Sequence, residues 1–163
     1  MLVSGELHYF VRVADARLGF LIAPPPLVQI LTNAKAPYNV SSPTASLALS
    51  AVSPAGLELM REKTSTLNAS RDVLIKDLLS IPSVGEVLGG NHANFVMARI
   101  LDGPGGKASN PRALDAYKRM AEELGVVVRF RGGEIGCEGC LRITVGTKDE
   151  CEAVISRLKE ILV

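Results

Sequence analysis

The segment Gly139-Cys140-Leu141-Arg142-Ile143-Thr144-Val145-Gly146-Thr147 places one arginine in a β-type run, after a glycine-bearing turn and before a helix start. Leu141, Ile143 and Val145 alternate with Arg142, Thr144 and Gly146, so Arg142 shares a face with Thr144 and the apolar residues take the other. A guanidinium on a rigid strand presents a planar fork that grips a carboxylate or a phosphate bidentately. A strand arginine paired with a surface acid is the plainer alternative. Arg129 follows Val126-Val127-Val128 and precedes a glycine pair. If residues 130–139 form the connection between two strands, both guanidinium groups could face one anion. Two convergent arginines are costly to hold together without a dianionic ligand such as a phosphate. Otherwise Arg129 and Arg131 flank the turn and point to water.

Other chemistry-bearing patterns are weaker. Gly103-Pro104-Gly105-Gly106-Lys107 lacks the spacing of a phosphate loop and does not lead directly into a helix, so it reads as a flexible connection. Cys137-Glu138-Gly139-Cys140 has the spacing of a redox motif or half of a zinc site. A structural zinc would need two more ligands, and only Cys151, His8 and His92 remain as candidates. Cys151 falls on the apolar face of a helix and reads as core. His8 and His92 have no patterned acid or nucleophile beside them, so no catalytic triad is assigned.

The elements that must position these residues follow from periodicity. Leu18 to Ala23 is an apolar run ended by three prolines and reads as a buried strand with neighbours on both edges. Leu27 to Thr32 reads as a short helix and Lys35 to Ser42 as a loop. Ser42-Pro43 and Ser53-Pro54 each read as a helix cap followed by proline. The second opens a long helix with Leu57, Met60, Leu67, Leu74 and Leu78 on one stripe, ended by Pro82. Beyond it lies a β-β-α-β-β-α unit: strands at Gly85–Leu88, Asn94–Leu101, Val126–Phe130 and Cys140–Gly146, and two helices. The first helix is capped by Asn110-Pro111, has Leu114, Tyr117, Met120, Ala121 and Leu124 as its apolar face, and stops at Gly125. The second starts with a Thr147–Glu150 capping box and carries Cys151, Val154, Ile155, Leu158 and Leu162 on one face. With matched caps and faces, residues 83–163 are the expected stable core and residues 1–40 the poorly anchored part.

Composition bounds the function classes. The chain has 163 residues, 47% of them apolar, and a formal net charge of +1 from 18 basic and 17 acidic residues. That balance gives no electrostatic case for nucleic acid or an anionic membrane surface. No apolar run approaches a membrane span, and the first ten residues lack the pattern of a secretory signal. Three cysteines cannot all pair within the chain, which suits a reduced, cytoplasmic setting.

Several stretches together, Arg17-Leu18-Gly19, Ala36-Pro37-Tyr38-Asn39 with Pro43-Thr44-Ala45, Ala93-Asn94-Phe95-Val96, and Gly125 through Thr147, resemble the C-terminal portion of the histidinol-phosphate aminotransferases, fold type I enzymes dependent on pyridoxal 5'-phosphate. The resemblance implies an α/β fold. Residues 1–53 would be a remnant of the large cofactor-binding domain, with 1–16 unrelated to the family. Residues 54–82 would be a long linking helix and 83–163 the small C-terminal domain. It also implies transfer of an amino group between glutamate or 2-oxoglutarate and the histidinol phosphate pair in histidine biosynthesis, by a cytoplasmic homodimer. By the same resemblance Arg17 binds the cofactor phosphate, Arg142 the substrate carboxylate and Arg129 the phosphate of histidinol phosphate.

One departure is sharp. In the family a lysine that follows a serine holds the cofactor as a Schiff base. Its place, eight residues before Arg17, is taken here by Tyr9, preceded by His8. The upstream ring-stacking aromatic, pyridine-nitrogen acid and most phosphate ligands are absent too. The expectation is therefore a truncated or mis-spliced product without catalytic residues, which does not bind the cofactor covalently. The alternative is a non-catalytic fragment, or an interaction partner that docks on a full-length aminotransferase subunit.

Overall fold

The computed structural model describes residues 12–13, 18–19, 21–89 and 92–163. Tyr9, His8 and Arg17 lie outside the described residues. The chain divides into two compact units, Met1–Glu62 and Lys63–Val163.

In the first unit, β1 (Arg12–Val13) and β2 (Leu18–Gly19) pair antiparallel, and two helices follow, α1 (Pro25–Ala34) and α2 (Ser42–Ala51). The buried strand expected over residues 18–23 is reduced to two residues, and Leu21 and Ile22 are 44% and 63% exposed. An apolar run buries itself as a strand only when a sheet receives both its edges, and the one partner described here is the two-residue β1. The α1 helix is longer than its apolar run because Pro25 and Pro26 fit its first turn. The α2 cap is Ser41, whose hydroxyl accepts from the Thr44 amide at 3.3 Å, and not Ser42. Ala48 is the buried residue of α2.

The helix α3 (Pro54–Leu79) crosses the division between units. Ser53 opens it as expected, its hydroxyl accepting from the Gly56 amide at 3.2 Å. Along the apolar stripe Leu74 and Leu78 are buried and Leu67 is partly buried against the core, whereas Met60 is 45% exposed.

The second unit continues with β3 (Val84–Leu88), β4 (Phe95–Ile100), α4 (Asn110–Glu122), β5 (Arg129–Phe130), β6 (Cys140–Thr144) and α5 (Lys148–Leu162). The order β-β-α-β-β-α is the expected one. The four strands form an antiparallel sheet in the order β3-β4-β6-β5. Its inner face, Val96, Ala98, Ile100, Leu141 and Ile143, lies in one core with α4, α5 and the end of α3.

The α5 helix matches its sequence pattern in full: Cys151, Val154, Ile155, Leu158 and Leu162 are all buried, and the Thr147–Glu150 capping box is formed. The α4 helix corrects the pattern in two ways. Its cap is Ser109, which accepts from the Arg112 amide at 3.3 Å, so Asn110 is the first helical residue. Its buried stripe is Ala113, Ala116 and Met120, while Leu114 is 37% exposed. Two alanines facing the sheet let the helix backbone approach it closely, and that favours a stripe of small residues over one marked by the large side chains. Gly125 follows with φ +67°, the left-handed conformation of a helix-ending glycine. The flanking strands are shorter than their apolar runs: β5 begins at Arg129 and β6 ends at Thr144, although Val128 and Val145 remain buried. The glycine-rich 103–107 segment is a closed, hydrogen-bonded loop and not a loose connection. The Asp102 amide donates to the Lys107 carbonyl at 2.8 Å and the Lys107 amide to Asp102 Oδ1 at 2.9 Å.

Two predictions follow from the packing. The first concerns the capping box, in which the Thr147 amide donates to Glu150 Oε2 at 2.7 Å and its hydroxyl at 2.9 Å. These bonds, the backbone one foremost, hold the Glu150 carboxyl below its ordinary value. The folded chain thus binds that proton less readily than the unfolded chain. The stabilisation is present above the ordinary carboxylate range and is lost as pH falls through the depressed folded value. Glu150→Gln should lower the denaturant midpoint at neutral pH, with the gap to wild type closing in acid. Urea unfolding as a function of pH measures it. The second concerns anchoring: hydrogen exchange should show slower amide exchange in the core strands β4 and β6 than in α1 and α2, whose side chains are largely exposed. Equal protection would contradict it.

Candidate anion-binding site

The strand β6 lies between β4 and β5, with Met97 opposite Arg142 on one side and Arg129 opposite Arg142 on the other. Alternation along β6 sends Leu141 and Ile143 into the core, leaving Cys140, Arg142 and Thr144 on the other face. The pairing therefore puts Arg129 and Arg142 side by side on that same face, where directly opposed Cα atoms stand roughly 4.5–5.5 Å apart. Arg99, opposite Cys140, shares the face.

These arginines differ in how they are satisfied. Arg99 is ion-paired with Glu86 and donates from Nη2 to the Gly136 carbonyl at 3.0 Å, while its Nε, like that of Arg142, is buried without a hydrogen-bond partner. Arg131 is ion-paired with Glu134 at 3.1 Å. Arg142 lies over the Phe95 ring, 5.3 Å from its centroid, and its Nε is buried without a hydrogen-bond partner. Among the described residues no carboxylate is ion-paired with Arg142 or Arg129. Like charges directly opposed across a sheet destabilise it, and a buried guanidinium nitrogen without an acceptor is costly. An anion bridging the two would offset both terms. The plainer alternative, a strand arginine answered by a surface acid, describes Arg99 and Arg131 and not Arg142.

The connection between the two strands is tied down by a side chain that the sequence pattern assigned to another task. Asn110 Nδ2 donates to the Gly132 carbonyl at 3.0 Å and Asn110 Oδ1 accepts from the Gly139 amide at 2.7 Å. One amide thus clamps both ends of the β5–β6 connection. Gly139, at φ +70°, sits so close that a Cβ there would come within 2.6 Å of the Ile100 carbonyl oxygen. The signal in the sequence was an asparagine just inside a helix whose cap was already supplied by Ser109.

The remaining candidates separate cleanly. Cys137 falls in the β5–β6 connection and Cys140 at the first position of β6, and Cys151 is core as expected. No group of three or more metal-ligating side chains occurs among the described residues. All seven lysines, Lys35, Lys63, Lys76, Lys107, Lys118, Lys148 and Lys159, are exposed. A lysine that forms a Schiff base with a cofactor is activated by a desolvated or cationic setting, and no lysine here has one. No helix of the described residues is long and apolar enough to cross a membrane.

Residues 13–158 match the model of the class I and II aminotransferases, and the chain belongs to that family. Within it, the chain is 43% identical over 151 residues to the histidinol-phosphate aminotransferase of Schizosaccharomyces pombe, covering 92% of this chain and 39% of that protein. It is 42% identical to the enzyme of the same name from Saccharomyces cerevisiae, covering 92% of this chain and 38% of that one. The chain thus spans about two fifths of the length of these curated relatives. Its fold is similar to a decarboxylase from Sulfurospirillum multivorans, with TM-score 0.76 and 24% identity over 92% of this chain and 36% of the other. It is also similar to the histidinol-phosphate aminotransferase of Sinorhizobium meliloti solved with pyridoxal-5'-phosphate, with TM-score 0.74 and 21% identity over 91% and 37%. The mixed helix and sheet of this chain is that of a partial α/β aminotransferase domain.

The clamp generates a prediction. Asn110→Ala leaves the Gly139 amide and Gly132 carbonyl without their partner, at a cost of about 1–3 kcal/mol. Exchange of amides in residues 132–139 should accelerate more than exchange in β4, read by hydrogen exchange. Uniform acceleration across the unit would show that Asn110 is not a local clamp.

Proposed function

We propose that this chain carries the substrate-anion grip of a histidinol-phosphate transaminase, the enzyme that exchanges an amino group between histidinol phosphate and 2-oxoglutarate. The observation that carries the reading is the opposed Arg129–Arg142 pair, with which no carboxylate is ion-paired among the described residues. In it Arg142 holds the carboxylate of glutamate or 2-oxoglutarate as a bidentate fork, kept flat by the Phe95 ring. Arg129, more exposed, takes the phosphate of histidinol phosphate. Residues 83–163 are then the small domain, 54–82 the linking helix and 1–53 the end of the large cofactor domain, and the complete enzyme is a cytoplasmic homodimer.

The cofactor of this family is pyridoxal 5'-phosphate, which when bound supplies the electron sink for amino transfer. The described residues do not fit a covalent site for it, because every lysine is exposed. Arg17, assigned to the cofactor phosphate by resemblance, lies outside the described residues. The chain by itself is therefore an anion-binding module without the transfer step. The exposed apolar side chains of the first unit, among them Ile30 at 64% and Leu49 at 72%, favour a second reading in which it docks on a full-length subunit.

Two measurements test the proposal. Borohydride reduction in the presence of the cofactor, followed by intact mass, should give no stoichiometric adduct on any lysine. In a chain extended by a lysine-bearing large domain, Arg142→Lys should lower kcat/KM for glutamate by about 10–100-fold, the equivalent of losing a charge-assisted bond of about 1.5–3 kcal/mol. Arg129→Ala should weaken histidinol phosphate more than glutamate. Wild-type constants for either variant would remove that residue from the site.

A further inference from the structure

The Cys137-Glu138-Gly139-Cys140 motif has no part in the anion grip, yet the fold gives it a definite shape. The Cys140 amide donates to the Cys137 carbonyl at 2.9 Å, closing a four-residue turn. The end Cα atoms of such a turn lie within about 7 Å, and disulfides span about 4.4–6.8 Å. The turn is fixed on both sides. Arg99 Nη2 holds the Gly136 carbonyl at 3.0 Å, just before Cys137, and Asn110 Oδ1 holds the Gly139 amide at 2.7 Å, just before Cys140. The backbone of the preceding turn is closed as well, by the Cys137 amide donating to the Glu134 carbonyl at 3.0 Å.

The two thiols are unequal. Cys137 is half-buried and Cys140 is fully buried. Burial pushes the Cys140 thiol up, the Arg99 guanidinium opposes that, and Cys137 is near enough to raise it further. The third cysteine takes no part: Cys151 is buried on α5, its Sγ 3.8 Å from the Gly146 carbonyl.

We propose that Cys137 and Cys140 are a reversible dithiol–disulfide pair, closed by low-molecular-weight disulfides such as oxidised glutathione. The Cys137 thiolate, the accessible one, attacks a sulfur of the small disulfide, forming a mixed disulfide and releasing one thiolate. The Cys140 thiol then loses its proton to solvent and its sulfur attacks that of Cys137, expelling the second small thiolate. Two protein thiols are oxidised to one disulfide and one small disulfide is reduced to two thiols. The cross-link sits at the head of β6, two residues before Arg142, so oxidation locks the turn from which that strand starts. The proposal does not depend on the aminotransferase reading.

The test uses the full chain incubated with oxidised glutathione, quenched in acid, alkylated and digested with trypsin. Cleavage after Arg131 and Arg142 leaves both cysteines in one peptide, residues 132–142, with no other cysteine. The expected product is that peptide free of alkyl groups and lighter by two hydrogen atoms, becoming doubly alkylated once dithiothreitol is added first. Cys140→Ser should instead retain glutathione on Cys137, because the resolving thiol is gone, while Cys151→Ser should oxidise as wild type does. A wild-type peptide that carries two alkyl groups after oxidation, keeps glutathione, or is joined to Cys151 overturns the proposal. The wild-type masses alone decide the matter if a variant fails to fold.

Discussion

The second unit depends on the position of β6 as an interior strand. It is paired on both edges, and three of its five residues, Cys140, Leu141 and Ile143, are essentially without solvent exposure. Because side chains alternate along a strand, burying Leu141 and Ile143 leaves Arg142 no choice of face, and a slip of one residue would send the guanidinium into the core. The same register brings Arg129 opposite Arg142. An opposed like-charged pair costs on the order of 0.2–1 kcal/mol, small beside the several kcal/mol lost when a buried leucine or isoleucine is removed. The core therefore dictates the register and the arginines bear the strain. Among the described residues no carboxylate is ion-paired with either of them.

Much of this was legible in the sequence where large apolar residues set the phase. The buried face of α5 is the one its period gives, and its capping box is formed as Thr147 and Glu150 imply. The α4 phase was not legible, because alanines do the packing there and their small size carries little weight against Leu114 and Leu124 in an apolar pattern. Strand ends were over-extended for a related reason: Val128 and Val145 are buried without lying in the strands as assigned, and hydrophobic patterning reports burial, not hydrogen bonding. The pairing that sets Arg129 opposite Arg142 was legible as a turn-like connection between two apolar runs. The Asn110 clamp was not, since its partners lie 22 and 29 residues away and nothing local marks them.

The first unit shows the limit of reading a strand from composition. The residues from Leu18 to Ala23 are apolar enough for a sheet interior, but a strand of this kind is stable only with neighbours on both edges, and the described partner is two residues long. Its helices tell the same story. Ala48 is the buried residue of α2 and α1 buries none, although α1 carries Leu27, Val28, Ile30 and Leu31 and α2 carries Leu47 and Leu49. The two helices form from hydrogen bonds made within each segment, while apolar side chains such as Ile30 and Leu49 are exposed.

Anion recognition and amino-group chemistry have different physical requirements. The first needs fixed guanidinium groups, a ring to stack on and a backbone that does not yield, and all three come from one core within the second unit: β6, Phe95 on β4, and the Asn110 clamp on α4. The second needs an amine whose proton is destabilised by burial or by neighbouring charge, and all seven lysines of this chain are exposed. A grip built on a self-contained core keeps its geometry whatever completes the reaction centre. On the proposed reading the Arg129–Arg142 pair is separate from the covalent step, and failure of this chain to bind the cofactor covalently would leave that proposal for the two arginines untouched.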